Sequence, residues 1–154
     1  MTSERLTKLQ RALEQAGLDA AAIIPGPTLA HLTGVSFHLM ERPIVLLVSR
    51  GRDPALVLPE FEKTKAALIP FKVNAFTYAE DPSGWESVFK TAVAALRLDG
   101  KRIGVEPRQM RLLEFRHVRA AARMFPRHSP SALHAGCPFT RPVRSAANPF
   151  SPSG

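Results

Sequence analysis

The side chains able to perform acid-base, nucleophilic or metal chemistry are few and scattered along the 154 residues. A hydrolytic metal site needs several His, Asp or Glu side chains that converge on one cation. No His-Glu-x-x-His pattern occurs, and the histidines do not fall at ligand spacing; they are His31, His38, His117, His128 and His134. We weigh His128, His134 and Cys137 as a zinc set against a chance grouping, and favour chance. The sequence therefore predicts no metal site and no cofactor in this chain.

Signals for a nucleophile or a phosphate-binding loop are equally weak. Cys137 is the single cysteine and lies towards the end of the chain, and no Gly-x-Ser-x-Gly pattern is present. The Gly-x-Gly-x-x-Gly spacing is also missing. Specific nucleic-acid binding would need aromatic side chains interleaved with a basic strand face, which the sequence does not offer. We therefore expect no catalytic residue here and no specific nucleic-acid partner.

One short segment does combine reactive and apolar side chains: "GVSFHLMERP", residues 34–43, here named the polar loop. His38, Glu41 and Arg42 can make directional polar contacts within it. In one interpretation the loop packs on its own domain, with Glu41 and Arg42 paired locally. In the other it faces a partner, because exposed apolar side chains beside Arg and His are typical of interface centres. Residue types and spacing leave both interpretations open.

Short apolar runs and amphipathic helices alternate on both sides of this loop. Apolar residues recur at helical spacing from Leu6 to Ala16, and a capping box at Ser83 and Glu86 precedes a second apolar stripe. Further helices are predicted over 60–68 and about 109–124, and strands over 19–25, 44–48, 55–58, 71–78 and 102–107. The turn "SRGRDP" predicts an antiparallel hairpin of the second and third strands. The expected fold class is α/β, a mixed β-sheet flanked by helices.

Charge and composition change near the end of the chain. Residues 1–114 hold fifteen cationic and thirteen acidic residues, whereas the remaining forty hold six arginines and no acidic residue. We expect a folded domain over 1–125 and a disordered Pro/Ser/Arg-rich tail over 126–154. Charges in the first eight residues argue against a secretory signal, and the apolar runs are too short for a membrane span. With a lone cysteine, this predicts a cytoplasmic protein without a membrane partner.

The ordered set of motifs resembles the N-terminal, creatinase/prolidase-type domain of the proline-specific metallopeptidases, the Xaa-Pro aminopeptidases and Xaa-Pro dipeptidases. The matching stretches are "RLTKLQRALEQAGLDAAAII", "PTLAHLTG", "ERPIVLLVSRGRDPALVLPEFE" and "KRIGVEP", which together cover approximately residues 4–125. His31 stands where relatives commonly have Tyr in Tyr-Leu-Thr-Gly. The resemblance implies the same mixed sheet with flanking helices.

In that family the N-terminal domain breaks no bond. A separate catalytic domain supplies two Asp, one His and two Glu to a dinuclear metal centre, and no segment of this chain matches it. The resemblance therefore implies a chain without peptidase activity by itself, whose role is dimerisation and the shaping of substrate access. It makes His38, Glu41 and Arg42 candidates for the substrate rim or the dimer contact. The expected partner is a second copy or a full-length family member, with a peptide as a further candidate.

Two further hypotheses concern the ending and the role. After Phe125 nothing matches the family pattern, and we interpret this as a changed reading frame between about Arg116 and Pro138, which would leave a truncated product. The alternative function is a stand-alone peptide- or protein-binding module derived from the same domain.

Overall fold

The computed structural model describes residues 4–123, which form a five-stranded mixed sheet with helices on both faces. The helices are α1 (Glu4–Gln15), α2 (Pro27–Thr33), α3 (Lys63–Ala66), α4 (Trp85–Ala95) and α5 (Leu112–Ala122). The strands are β1 (Ala20–Ile23), β2 (Val45–Ser49), β3 (Ala55–Pro59), β4 (Asn74–Tyr78) and β5 (Ile103–Val105). This confirms the predicted fold class. The predicted tail, 126–154, and its histidines and cysteine lie outside the described residues, so the predicted domain boundary stays a prediction.

The strand order is β4-β3-β2-β1-β5, with antiparallel pairing of β2 to β1 and β3, and parallel pairing of β1 to β5 and β3 to β4. The predicted hairpin is confirmed by the register Val45↔Val57 and Leu46↔Leu56. Gly51 turns it with φ 68°, a backbone conformation that side chains with a Cβ rarely adopt.

The central strands are buried throughout and almost entirely apolar, because both faces of the sheet are covered. Odd-numbered positions of β2, such as Val45 and Leu47, pack with α4 and α5 around Phe89 and Val118. Even-numbered positions pack with α1 and α2 on the other face, where a second cluster includes Leu13. Period-two alternation is therefore present in space although the sequence shows only continuous apolar runs.

Two predicted helix starts are wrong. Ser83 and Glu86 do not form a capping box; Asp81 instead accepts from the Ser83 backbone N–H at 2.9 Å, and Pro82–Gly84 form a 3₁₀ turn before α4. Pro82 at the first position of this turn has a fixed φ, and the side-chain acceptor is Asp81, two residues before the predicted cap. The last helix begins at Leu112, because residues 106–110 form a turn in which the Met110 N–H donates to the Glu106 carbonyl at 2.8 Å.

The pairings give the sheet two distinct edges. The ends of β1, β3, β4 and β5 and the start of β2 lie at one edge, here named the loop edge. The polar loop reaches the sheet there. The opposite edge, here named the turn edge, holds the hairpin turn of residues 50–54. No helix among residues 4–123 is long and apolar enough to cross a membrane.

Candidate functional site at the loop edge

The polar loop begins where α2 ends. Gly34, with φ 72°, donates its backbone N–H to the Ala30 carbonyl, and this left-handed residue turns the chain away from the helix axis. The hydroxyl of Thr33, fully buried, donates to the Leu29 carbonyl at 2.8 Å and accepts from the Val35 N–H at 3.1 Å. Hydrogen bonds on both sides of Gly34 therefore fix the backbone conformation at the start of the loop.

Three contacts hold the middle and end of the loop on the domain. Phe37 is buried in the core cluster shared with α1 and α2. The carbonyl of Met40 accepts from Arg111 Nη1 at 2.6 Å, and that of Pro43 accepts from the Tyr78 hydroxyl at 2.7 Å. Burial raises the pKa of Tyr78, so the phenol stays protonated and remains a donor. The interpretation in which the loop packs on its own domain is thus correct for its backbone.

A buried ion pair supports the Met40 contact. Arg111 pairs through both Nε and Nη2 with Glu114, one turn further along α5. The Glu114 carboxylate is fully buried, whereas Arg111 keeps 29% of its side-chain surface exposed. Because a charge buried without a partner is strongly unfavourable, Glu114 holds Arg111 in place and Arg111 in turn holds the loop.

The outer face of the loop carries the three predicted site residues. His38 and Glu41 are exposed, and neither makes a hydrogen bond or ion pair with another residue of the described range 4–123. Arg42 does not pair with Glu41, as the local interpretation expected, but with Glu80 at 2.9 Å between Nη2 and Oε1. Glu80 follows β4, which brings a carboxylate 38 residues distant in sequence to this edge.

Exposed apolar side chains lie at and near Arg42. The Arg42 guanidinium lies over the ring of Phe61, 5.2 Å from its centroid. Phe61 is 52% exposed and Leu39 48% exposed. Large apolar side chains beside an arginine are typical of the centre of a protein–protein interface. The sequence analysis missed Phe61, which lies in the 3₁₀ turn Glu60–Glu62 after β3 and shows no periodic signal.

A second link closes the loop edge on its other side. The Thr28 hydroxyl donates to Glu106 Oε1 at 2.5 Å, which joins the start of α2 to the segment after β5. Sequence reasoning missed this pair, since 78 residues separate its members. The Arg111–Glu114 pair was also missed, although its i, i+3 spacing is a recognisable signal.

The donor sets of the described residues do not fit the dinuclear metal centre of the resembled family. Among residues 4–123 no three His, Cys, Asp or Glu side chains are placed to hold a metal ion. Two of the carboxylates at the loop edge already have partners in the domain, in the pairs Arg42–Glu80 and Thr28–Glu106. We therefore derive no hydrolytic step from these residues.

Comparisons with solved structures place this fold beside dipeptidases. The dipeptidase PepE from Mycobacterium ulcerans matches with a TM-score of 0.70 and 24% identity over 85% of this chain, but over 35% of its own. A proline dipeptidase from Streptococcus pneumoniae matches with a TM-score of 0.64, 25% identity and coverage of 79% and 87%. The creatinase/prolidase N-terminal domain of an X-Pro dipeptidase from Streptococcus pyogenes gives 0.65, 23%, 76% and 86%.

The chain thus spans about a third of the length of PepE and most of the length of the two streptococcal structures. No functionally curated protein matches the sequence significantly. The model of the creatinase/prolidase N-terminal domain family matches residues 5–130, which is most of the chain and includes every element of the sheet. The predicted family is thereby confirmed, and the chain belongs to the creatinase/prolidase N-terminal domain family.

Proposed function

We propose that this chain is a non-catalytic association domain that dimerises through the loop edge and shapes the access of small peptides to a peptidase site. The observation that carries the proposal is the exposure of two large apolar side chains at the loop edge: Leu39 on the anchored polar loop, and Phe61, whose ring lies under Arg42. A loop whose backbone is already held loses little conformational freedom on binding, which favours association. A second copy is the proposed partner, and a full-length family member would offer the same surface.

The assembly state of the full chain tests this directly. Sedimentation velocity over a concentration series should show a dimer, and L39S and F61S should each raise the dimer Kd by about tenfold or more, because buried interface anchors contribute roughly 2 kcal/mol. L68S is the matched control, since Leu68 is 71% exposed but lies neither in the polar loop nor in the 3₁₀ turn Glu60–Glu62 that carries Phe61. Its Kd should stay within about twofold. A wild-type chain that remains monomeric throughout the series contradicts the proposal.

His38, Glu41 and Arg42 are the substrate-rim or dimer-contact residues of the proposal. The exposed, unpaired state of His38 and Glu41 among the described residues leaves both free to meet a partner or a peptide. An H38A/E41A variant should either raise the dimer Kd, if the two residues contact the partner, or weaken the binding of an Xaa-Pro dipeptide, if they form the rim. Unchanged values in both measurements would remove them from the site.

A peptidase assay separates the proposed role from catalysis. Xaa-Pro dipeptides should not be hydrolysed by the purified chain with added manganese, cobalt or zinc, and metal-dependent turnover would contradict a non-catalytic role. Saturable dipeptide binding by a monomeric chain would instead favour the stand-alone binding module. The cytoplasmic location also stays a proposal, and cell fractionation tests it.

A further inference from the structure

A cleft of about 590 Å³ lies at the turn edge, opposite the polar loop. It is formed by the second half of α1, the start of β1, the end of β2 with the hairpin turn, and the end of α4. Its volume is within the range of small-molecule sites. Neither the family match nor the proposed function uses this cleft.

Cationic side chains dominate its lining. Five exposed basic residues surround the cleft, against two carboxylates, Glu14 and Asp19; the five are Arg11, Arg50, Arg52, Arg97 and Lys101. The Asp19 carboxylate already has partners within the domain. It accepts from the Arg102 backbone N–H at 2.9 Å and pairs with Arg50 at 3.3 Å, and the backbone hydrogen bond from Arg102 is the main cause of its lowered pKa.

Four of the cations, Lys101 and three arginines, have no ion-pair partner among the described residues. Arg11, Arg52 and Arg97 form no ion pair with any residue between 4 and 123. The C-terminal ends of α1 and α4 also face this edge, and their partial negative charge accounts for some of the cations. A helix end carries only about half a negative charge, however, so two helix ends and Glu14 do not neutralise all five cations.

A buried hydroxyl lies among them. Ser49, the last residue of β2, lines the cleft with only 3% of its surface exposed, and its Oγ has no hydrogen-bond partner among the described residues. Its backbone carbonyl is satisfied by Gln10 Nε2 at 2.9 Å. A buried polar atom left without a partner is unfavourable, so the lining offers a donor as well as positive charge.

Arg97 adds an independent observation. It occupies the left-handed position that ends α4, with φ 53°, while the Leu98 N–H donates to the Val93 carbonyl at 3.0 Å. Glycine is the residue that takes this position at least cost. An arginine there is conformationally strained, and it is one of the residues that line the cleft.

We infer that the turn-edge cleft binds a small polyphosphate anion, recognised by Arg11, Arg52 and Arg97 together with the Ser49 hydroxyl. Phosphate oxygens accept hydrogen bonds from guanidinium groups in the paired geometry that makes such contacts strong. Binding at this edge is independent of dimerisation at the loop edge, and either function can fail without the other.

Isothermal titration of the full chain with inorganic pyrophosphate tests the inference. Saturable binding that weakens as ionic strength rises is expected. R97G should weaken it by about fivefold or more, as expected for one lost charge-assisted contact, while its Tm equals or exceeds that of the wild type because the strain is relieved. R123G is the matched control, since Arg123 takes the same left-handed position after α5, with φ 47°, and does not line the cleft. Its Kd should stay within about twofold.

Three results would overturn the inference. The first is an absence of saturable pyrophosphate binding at low ionic strength. The second is loss of binding in R141Q/R144Q, a variant of the C-terminal arginines, with R97G unaffected. The third is sedimentation of the chain with phosphatidylglycerol vesicles when pyrophosphate does not bind, which would assign the cations to a membrane surface.

Discussion

Replacement of Arg111 by methionine should destabilise the domain far more than removal of any surface arginine. The change leaves the fully buried Glu114 carboxylate without its partner and the Met40 carbonyl without its donor. Breaking a buried pair by removing one member costs about 3–5 kcal/mol. Arg111 is 29% exposed, so water can approach the site, and we expect the lower end, about 3 kcal/mol.

Urea denaturation followed by tryptophan fluorescence measures this loss. Trp85 is the single tryptophan, packs against Tyr78 and His117, and reports on the core beneath α5. With a slope of about 2 kcal/mol per molar urea, the midpoint of R111M should fall by about 1.5 M. R42Q is the matched control from the loop itself, because the Arg42–Glu80 pair is largely exposed and should contribute less than about 1 kcal/mol.

The double variant R111M/E114L tests whether the unpaired, buried Glu114 carboxylate causes the loss of stability in R111M. Replacing both members with apolar side chains removes the unpaired carboxylate, so most of the stability should return, to within about 1–2 kcal/mol of the wild type. The remaining loss reflects the unpaired Met40 carbonyl. A loss below about 1 kcal/mol in R111M, or a double variant as unstable as R111M, would show that the unpaired Glu114 carboxylate does not cause the instability.

Two further variants test neighbouring contacts. Y78F removes the 2.7 Å hydrogen bond to the buried Pro43 carbonyl and should cost about 1–2 kcal/mol in the same urea assay; an unchanged midpoint would show that the bond contributes nothing. Burial against Phe89 lowers the pKa of His117. The stability contributed by the neutral His117 ring is therefore fully present above about pH 6.5, and it is lost as pH falls through the lower pKa of the folded state. Stability should therefore decline as pH falls below about 6.5 in the wild type and less in H117F; equal slopes would contradict this assignment.

Local sequence patterns predicted helices and strands correctly where the apolar residues and the turn residues indicated the same boundaries. The apolar runs before and after "SRGRDP" became β2 and β3, and Gly17 ended α1 with φ 66°. The predictions failed at the starts of two helices. At the start of α4, Asp81 accepts the hydrogen bond from the Ser83 backbone N–H. Asp81 displaced Ser83 as the cap, because a carboxylate placed before Pro82 accepts from the first free N–H groups.

The candidate site was only partly visible in the sequence. The polar loop stood out by composition, and the resemblance to the family gave it a role. Its anchors did not stand out, because the contacts to Arg111 and Tyr78 join residues 71 and 35 positions apart. Phe61 and the turn-edge cleft were missed for the same reason, since each depends on which segments the sheet brings together.

The family, the alternation of helices and strands, and the position of the polar loop were all recognisable in the sequence, since periodicity and turn residues report local conformation and burial. Three features became apparent only in the folded chain: the placement of β5 beside β1, the pairing of Arg42 with Glu80 instead of Glu41, and the grouping of cations around Ser49. Strand order and long-range ion pairs depend on how the whole chain covers both faces of one sheet. A short stretch of sequence does not contain that information.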